Sequence, residues 1–116
     1  MAKLYAMGVG IVLLLVGVLG FFMDNLFGLI TFTTHHNLIH VATGVVGLGA
    51  ALAGGEKGAK WFALLFGIVY ILVTVVGFVG FEDIGPIQLH LNLYYNVIHG
   101  AVGVLGLLAG LASKGD

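Results

Sequence analysis

Four long runs of apolar residues, separated by short polar interruptions, account for most of this 116-residue chain. The runs span residues 4–22, 36–54, 61–80 and 95–112, and none contains Lys, Arg, Asp or Glu. Each is near the ~20 residues that an α-helix needs to cross a hydrocarbon core. Backbone in lipid must satisfy its own hydrogen bonds, and the alternating pattern of a barrel strand is absent from all four. The pattern predicts an all-α membrane protein with four transmembrane helices in a single domain, residues 1–116. The first run follows Lys3 and so resembles a secretion signal, but a signal core is usually ~7–15 residues and ends at a small-residue cleavage site. Phe21-Phe22-Met23-Asp24 offers no such site, so the first run is expected to be retained.

The chain repeats itself. HNLIHVATGVVGL at residues 36–48 recurs as YNVIHGAVGVLGL at 95–107, an offset of 59 that places Asn37 on Asn96, His40 on His99, Gly44 on Gly103 and Gly47 on Gly106. Gly8 then matches Gly67 at the same offset, and Gly17 and Gly20 match Gly77 and Gly80 at an offset of 60. A tandem two-helix repeat follows, with residues 1–57 as the first copy and 58–116 as the second. An even number of helices per copy relates the halves by a pseudo-twofold axis along the membrane normal.

Composition fixes the solvent and charge fixes the orientation. Apolar residues make up 60% of the chain and charged residues 8%, too little charge to cover a soluble domain of this size. Lys3, Lys57, Lys60 and Lys114 are all the basic residues, and each falls at a terminus or in the middle connection. With four crossings these lie on one side, so the positive-inside rule places both termini in the cytoplasm of a prokaryotic cell membrane. Asp24, Glu82 and Asp83 lie on the other side.

The outer connections carry a strand-like alternation. Ile87-Gln88-Leu89-His90-Leu91-Asn92-Leu93 and Ile30-Thr31-Phe32-Thr33 alternate apolar with polar, the signature of a half-buried extended segment. Either the two segments pair antiparallel across the outer mouth, or they lie as amphipathic loops at the headgroups. The middle connection, Gly54-Gly55-Glu56-Lys57-Gly58, reads as a short polar turn.

Lipid gives helices no hydrophobic reason to associate, so small residues that permit close approach mark the contacts. Gly44, Gly47 and Ala51 in the second run, and Gly103, Gly106 and Gly110 in the fourth, predict a seam along which these two helices meet. The same faces suit a homo-oligomer or other membrane subunits as partners, besides the lipid bilayer itself.

All five histidines (His35, His36, His40, His90 and His99) fall on the outer half. Ionisable residues within a membrane are costly and usually face a bundle interior. His36 and His40 share a helical face at i, i+4, and Tyr95 and His99 repeat the spacing. Two functional classes follow. In the first, Asn37, His40, Asn96 and His99, with His36 and Tyr95, form a polar clamp that ties outer ends together in a structural or accessory subunit. In the second, His36, His40 and His99 hold haem b or a transition metal, for electron transfer or sensing. The clamp needs no cofactor. The chain has no cysteine, and no Ser-His-Asp pattern, phosphate-binding loop or basic patch for nucleic acid. An enzyme is not expected.

The paired elements HHNLIHVATGVVGL and YYNVIHGAVGVLGL, each preceded by a glycine-spaced run, resemble the small bacterial and archaeal membrane family catalogued as domain of unknown function 4383. The resemblance covers nearly the whole chain. It implies a four-helix fold and points to Asn37, His40, Asn96 and His99 as its recurring residues, but it implies no activity. This chain departs from the family pattern at Tyr95, where an acidic or small residue is usual, and in its short loops.

Overall fold

The computed structural model describes residues 1–28 and 30–113; Lys114, one of the four lysines used for orientation, lies outside the described residues. The elements run α1 (Ala2–Leu19), β1 (Asn25–Leu26), β2 (Ile30–Thr31), α2 (Thr34–Val79) and α3 (Leu93–Ala112). Among the described residues there are thus three helices, and the expectation of four transmembrane helices is corrected. All three are long and apolar enough to cross a membrane.

The difference lies at residues 54–58. These were expected to form a loop, but α2 covers them within its 46 residues and only Gly55 departs from helical φ/ψ. At ~1.5 Å per residue a straight helix of that length would span roughly 69 Å, whereas the longest dimension of the molecule is 40 Å. The helix therefore folds back on itself, and one residue does it. Gly55 has φ 61° and ψ −151°, a backbone region essentially closed to any residue with a Cβ. On either side the chain is helical, giving two arms, residues 34–54 and 56–79. They touch just past the bend: a Cβ on Gly58 would lie 2.7 Å from the Ala50 carbonyl oxygen.

The helices pack through small residues. On α1, Ala2, Ala6, Gly10, Leu13 and Gly17 are buried at three- and four-residue spacing, which makes a single stripe. A Cβ on Gly10 would lie 3.0 Å from the Gly44 carbonyl oxygen, and one on Gly44 would lie 2.8 Å from that of Gly10. Gly67 and Gly103 approach each other likewise, at 2.9 and 3.1 Å. The seam of Gly44, Gly47, Gly103, Gly106 and Gly110 therefore does not join the first arm of α2 to α3, as expected. Gly44 faces α1, Gly103 and Gly110 face the second arm, Gly47 meets Phe62 and Ala6, and Gly106 meets Tyr5 and Ala63. Ala51 is fully buried in the core. The glycine register also changes. Gly8, expected to match Gly67, has nothing within 4 Å of its would-be Cβ, and Gly10 occupies the contact analogous to that of Gly67.

The two ends of the molecule are tied differently. At one end Lys60 Nζ donates to the Ser113 carbonyl at 2.8 Å, Ser113 Oγ donates to Glu56 at 2.9 Å, and the Met1 amine lies 3.8 Å from Glu56. At the other end, of the two alternatives for the outer segments, the antiparallel pair between them does not form. β1 pairs with β2 inside the first segment, and the second holds only an Ile84–Ile87 bridge. His90 has φ 52°, which interrupts the extended conformation that a strand through residues 87–93 needs. The alternation survives as burial: Leu89 and Leu91 face in, and Gln88 and His90 face out. Asp83 accepts hydrogen bonds from the His90 and Leu89 amides at 3.0 and 2.9 Å, which hold its carboxyl below the usual range.

Candidate metal centre

Both Asn-x-x-His elements begin at a capped helix start. The Thr33 side chain accepts from the His36 amide at 3.1 Å to cap α2, and the Asn92 side chain accepts from the Tyr95 amide at 3.0 Å to cap α3. One turn further in, Asn37 and Asn96 are buried, and one turn beyond them so are His40 and His99. The caps fix the first turn, and the i, i+3 and i, i+4 spacing then aims these side chains along one face of each helix.

The two faces converge on a histidine cluster. Imidazole nitrogens of His36, His40 and His99 lie within 4.8 Å of one another, and all three residues are at least 96% buried. Ring centroids are 4.2 Å apart for His36 and His40 and 5.5 Å apart for His36 and His99. Tyr95 lies against His36 at 4.6 Å and stacks on His99 at 5.3 Å. Tyr70 packs edge-on to His99 at 4.9 Å. Leu89 and Leu91 close the outer end in a small apolar cluster with Tyr95.

Hydrogen bonding divides the predicted clamp into two groups. His36 Nδ1 donates to the Leu89 carbonyl at 3.3 Å, and Tyr95 Oη donates to the Thr31 carbonyl at 2.8 Å. These two tie the outer segments down, together with Thr33 Oγ1 donating to the Gln88 carbonyl and the Gln88 amide donating to His35 Nδ1 at 2.9 Å. His40 and His99 do not take part: Nδ1 of each is buried without a hydrogen-bond partner, as is Oδ1 of Asn37 and Asn96. Of the residues expected to clamp the outer ends, His36 and Tyr95 do so, while these atoms of Asn37, His40, Asn96 and His99 make no such bond. A buried polar atom left unpaired costs about 1–3 kcal/mol, so two imidazoles in this condition at one point need a reason.

The carbonyl of Leu89 can only accept, so His36 carries its proton on Nδ1 and presents a lone pair from Nε2. This is the arrangement by which metal-ligating histidines are commonly oriented, with the other ring nitrogen donating to a backbone carbonyl. Two apolar cavities flank the cluster. One, of about 560 Å³, runs between the arms of α2 from Gly58 to Ile84 past His36 and His99; the other, of about 370 Å³, lies between α1 and α3 beside His40 and His99.

Tyr70, Thr33, Gln88 and Leu89 escaped the sequence reading. Tyr70 carried a signal, a phenol in the middle of an otherwise apolar run. Gln88 and Leu89 stood out only as part of an alternating segment, because their bonds to the site are made by backbone atoms.

A bundle of apolar helices closed over a buried histidine centre defines the class of protein. The chain belongs to the family described as domain of unknown function (DUF4383), whose model matches residues 3–112. No curated protein and no solved structure matches it.

Proposed function

We propose that the protein is an integral membrane protein that binds a transition-metal ion through His36, His40 and His99. The observation that carries this reading is the coincidence of three buried imidazoles within 4.8 Å with two orphaned ring nitrogens among them. Imidazole is a good ligand for zinc, copper, iron and nickel, and ligand nitrogens ~2.0–2.1 Å from an ion fit within that spacing after a small inward movement. The geometry favours an ion over haem b, because rings only 4.2 to 5.5 Å apart leave no slot for a macrocycle among them. The reading as an accessory subunit rests on exposed apolar faces, which the bilayer covers equally well. Metal analysis of the detergent-purified protein is expected to give about one ion per chain, lost in His40→Ala and His99→Ala while helical circular dichroism persists. A protein that remains metal-free after exposure to zinc and copper would sink the proposal.

The reading includes two equivalent halves and a defined orientation. Support for the halves is the spacing of analogous contacts: Tyr5, Ala6 and Gly10 stand 57 positions before Phe62, Ala63 and Gly67, while Gly44 and Gly47 stand 59 before Gly103 and Gly106. Support for orientation is the mutual contact of Met1, Glu56, Lys60 and Ser113 at one end, opposite Asp83 and the histidines. With the positive-inside rule, that end is cytoplasmic in a prokaryotic cell. Cysteines introduced at positions 57 and 83 provide a check: only position 83 is expected to react with an impermeant reagent on intact cells. Outside labelling at 57 would reverse the orientation.

A further inference from the structure

We infer that the ion this centre takes is monovalent copper, an inference that rests on the metal-binding reading above. The argument is charge. Among the described residues the cluster brings together three imidazoles with no carboxylate or thiolate, and neutral imidazoles leave a bound ion its full charge. The described carboxylates lie elsewhere: Asp24 and Glu82 are exposed, Glu56 is engaged by Ser113 at the far end, and Asp83 is bound to the Leu89 and His90 amides. Around the cluster are Leu89, Leu91, Tyr70, Tyr95 and two cavities whose walls are almost wholly apolar.

In such a medium the cost of burying a charge grows as its square, so a divalent ion pays roughly four times what a monovalent one does. Sites for divalent ions in apolar surroundings usually lower that charge with a carboxylate, a thiolate or a bound hydroxide. This chain has no cysteine, and none of the described carboxylates reaches the centre. Monovalent copper needs neither a counter-charge nor a fourth ligand, because two or three nitrogens complete its coordination. Divalent copper prefers a tetragonal set that three histidines do not supply. The Tyr70 and Tyr95 rings pack against His99 and help to keep water from the cluster. Tyr95 Oη points away, to the Thr31 carbonyl, which leaves Tyr70 as the one nearby phenol that could supply a negative ligand by losing its proton.

The test uses the whole protein in detergent, loaded anaerobically with Cu(I) or with Zn(II), alone and in competition. The expected result is one copper per chain, with X-ray absorption showing a monovalent ion on about three nitrogens. An equal concentration of zinc should displace less than about a tenth of it, the mark of at least a tenfold preference. Tyr70→Phe should retain copper unchanged. Stoichiometric zinc binding that excludes copper would overturn the copper assignment and leave metal binding standing. Loss of metal in Tyr70→Phe would also overturn it, by showing that a phenolate supplies the missing charge. A folded wild-type protein that takes up neither ion removes both readings.

Discussion

Replacing Gly44 or Gly67 with alanine should destabilise the protein by about 1–3 kcal/mol, a loss seen as a lower melting temperature in detergent. The added methyl on Gly44 would sit 2.8 Å from both the Gly10 carbonyl oxygen and the Leu14 amide nitrogen. On Gly67 it would sit 2.9 Å from the Gly103 carbonyl oxygen and the Leu107 amide nitrogen. These are backbone atoms, which no rotamer change can move aside, so the helices themselves must separate. For the membrane-embedded protein proposed above, that separation matters more than in water, because close van der Waals contact is the main force holding apolar helices together in lipid. Gly49→Ala supplies the control. Nothing lies within 4 Å of its added methyl, and alanine is the better helix former by ~0.8–1.0 kcal/mol, so this variant should match or exceed the wild type. Equal losses at positions 44 and 49 would show that the close approach of α1 and α2 does not hold the bundle.

How much of this was legible beforehand depends on what each residue does. Apolar runs announce helices because lipid leaves the backbone no other partner, and the runs at 4–22, 61–80 and 95–112 lie largely within helices. The reversal at residues 54–58 was legible as a turn, but its confinement to one residue was not. Gly54-Gly55-Glu56-Lys57-Gly58 is as poor a helix former as most loops, yet only Gly55 leaves helical geometry. Composition shows where a helix is weak, but not that one residue can carry the whole reversal. The small-residue seam was visible as a face, but its partner was not. Periodicity says which side of a helix is thin; the neighbour that fills it depends on how the chain returns, and α1 takes the place expected of α3 beside Gly44. Matching glycine to glycine also set Gly8 against Gly67, when the contact belongs to Gly10.

The histidine centre divides along the same line. His36 and His40 are neighbours by helical spacing alone, and the Asn-x-x-His match at positions 40 and 99 made their approach a fair expectation. That His36 would bond the Leu89 carbonyl was hidden, because backbone acceptors leave no trace in residue identity. Hidden too was the absence of a hydrogen-bond partner for Nδ1 of His40 and His99. The polar clamp exists, but Thr33, His35, His36 and Tyr95 make it. The recurring histidines are left buried, with Nδ1 of each unpaired.

The asparagines that recur with them are expected to behave as half of a size-matched pair with glycine. Oδ1 of Asn37 crowds the place a Cβ on Gly20 would take, and Oδ1 of Asn96 that of a Cβ on Gly77, each too close to admit one. Neither oxygen has a conventional donor, and a glycine Cα–H facing it would supply a contact worth ~0.5–1 kcal/mol. Gly77→Ala should therefore cost about 1–3 kcal/mol, by driving a methyl into a carboxamide that is 95% buried. Asn96→Ala, by contrast, removes an unpaired acceptor and leaves a small cavity, opposing effects that make it the milder change. Combining the two should recover much of the loss, because the alanine methyl at position 77 then occupies the space the carboxamide vacated. A double-mutant cycle read by thermal melting measures this as a coupling of about 1 kcal/mol or more, in the sense of rescue. If the two losses simply add, steric contact is not what pairs them, and the asparagine is held in place by something other than the glycine beside it.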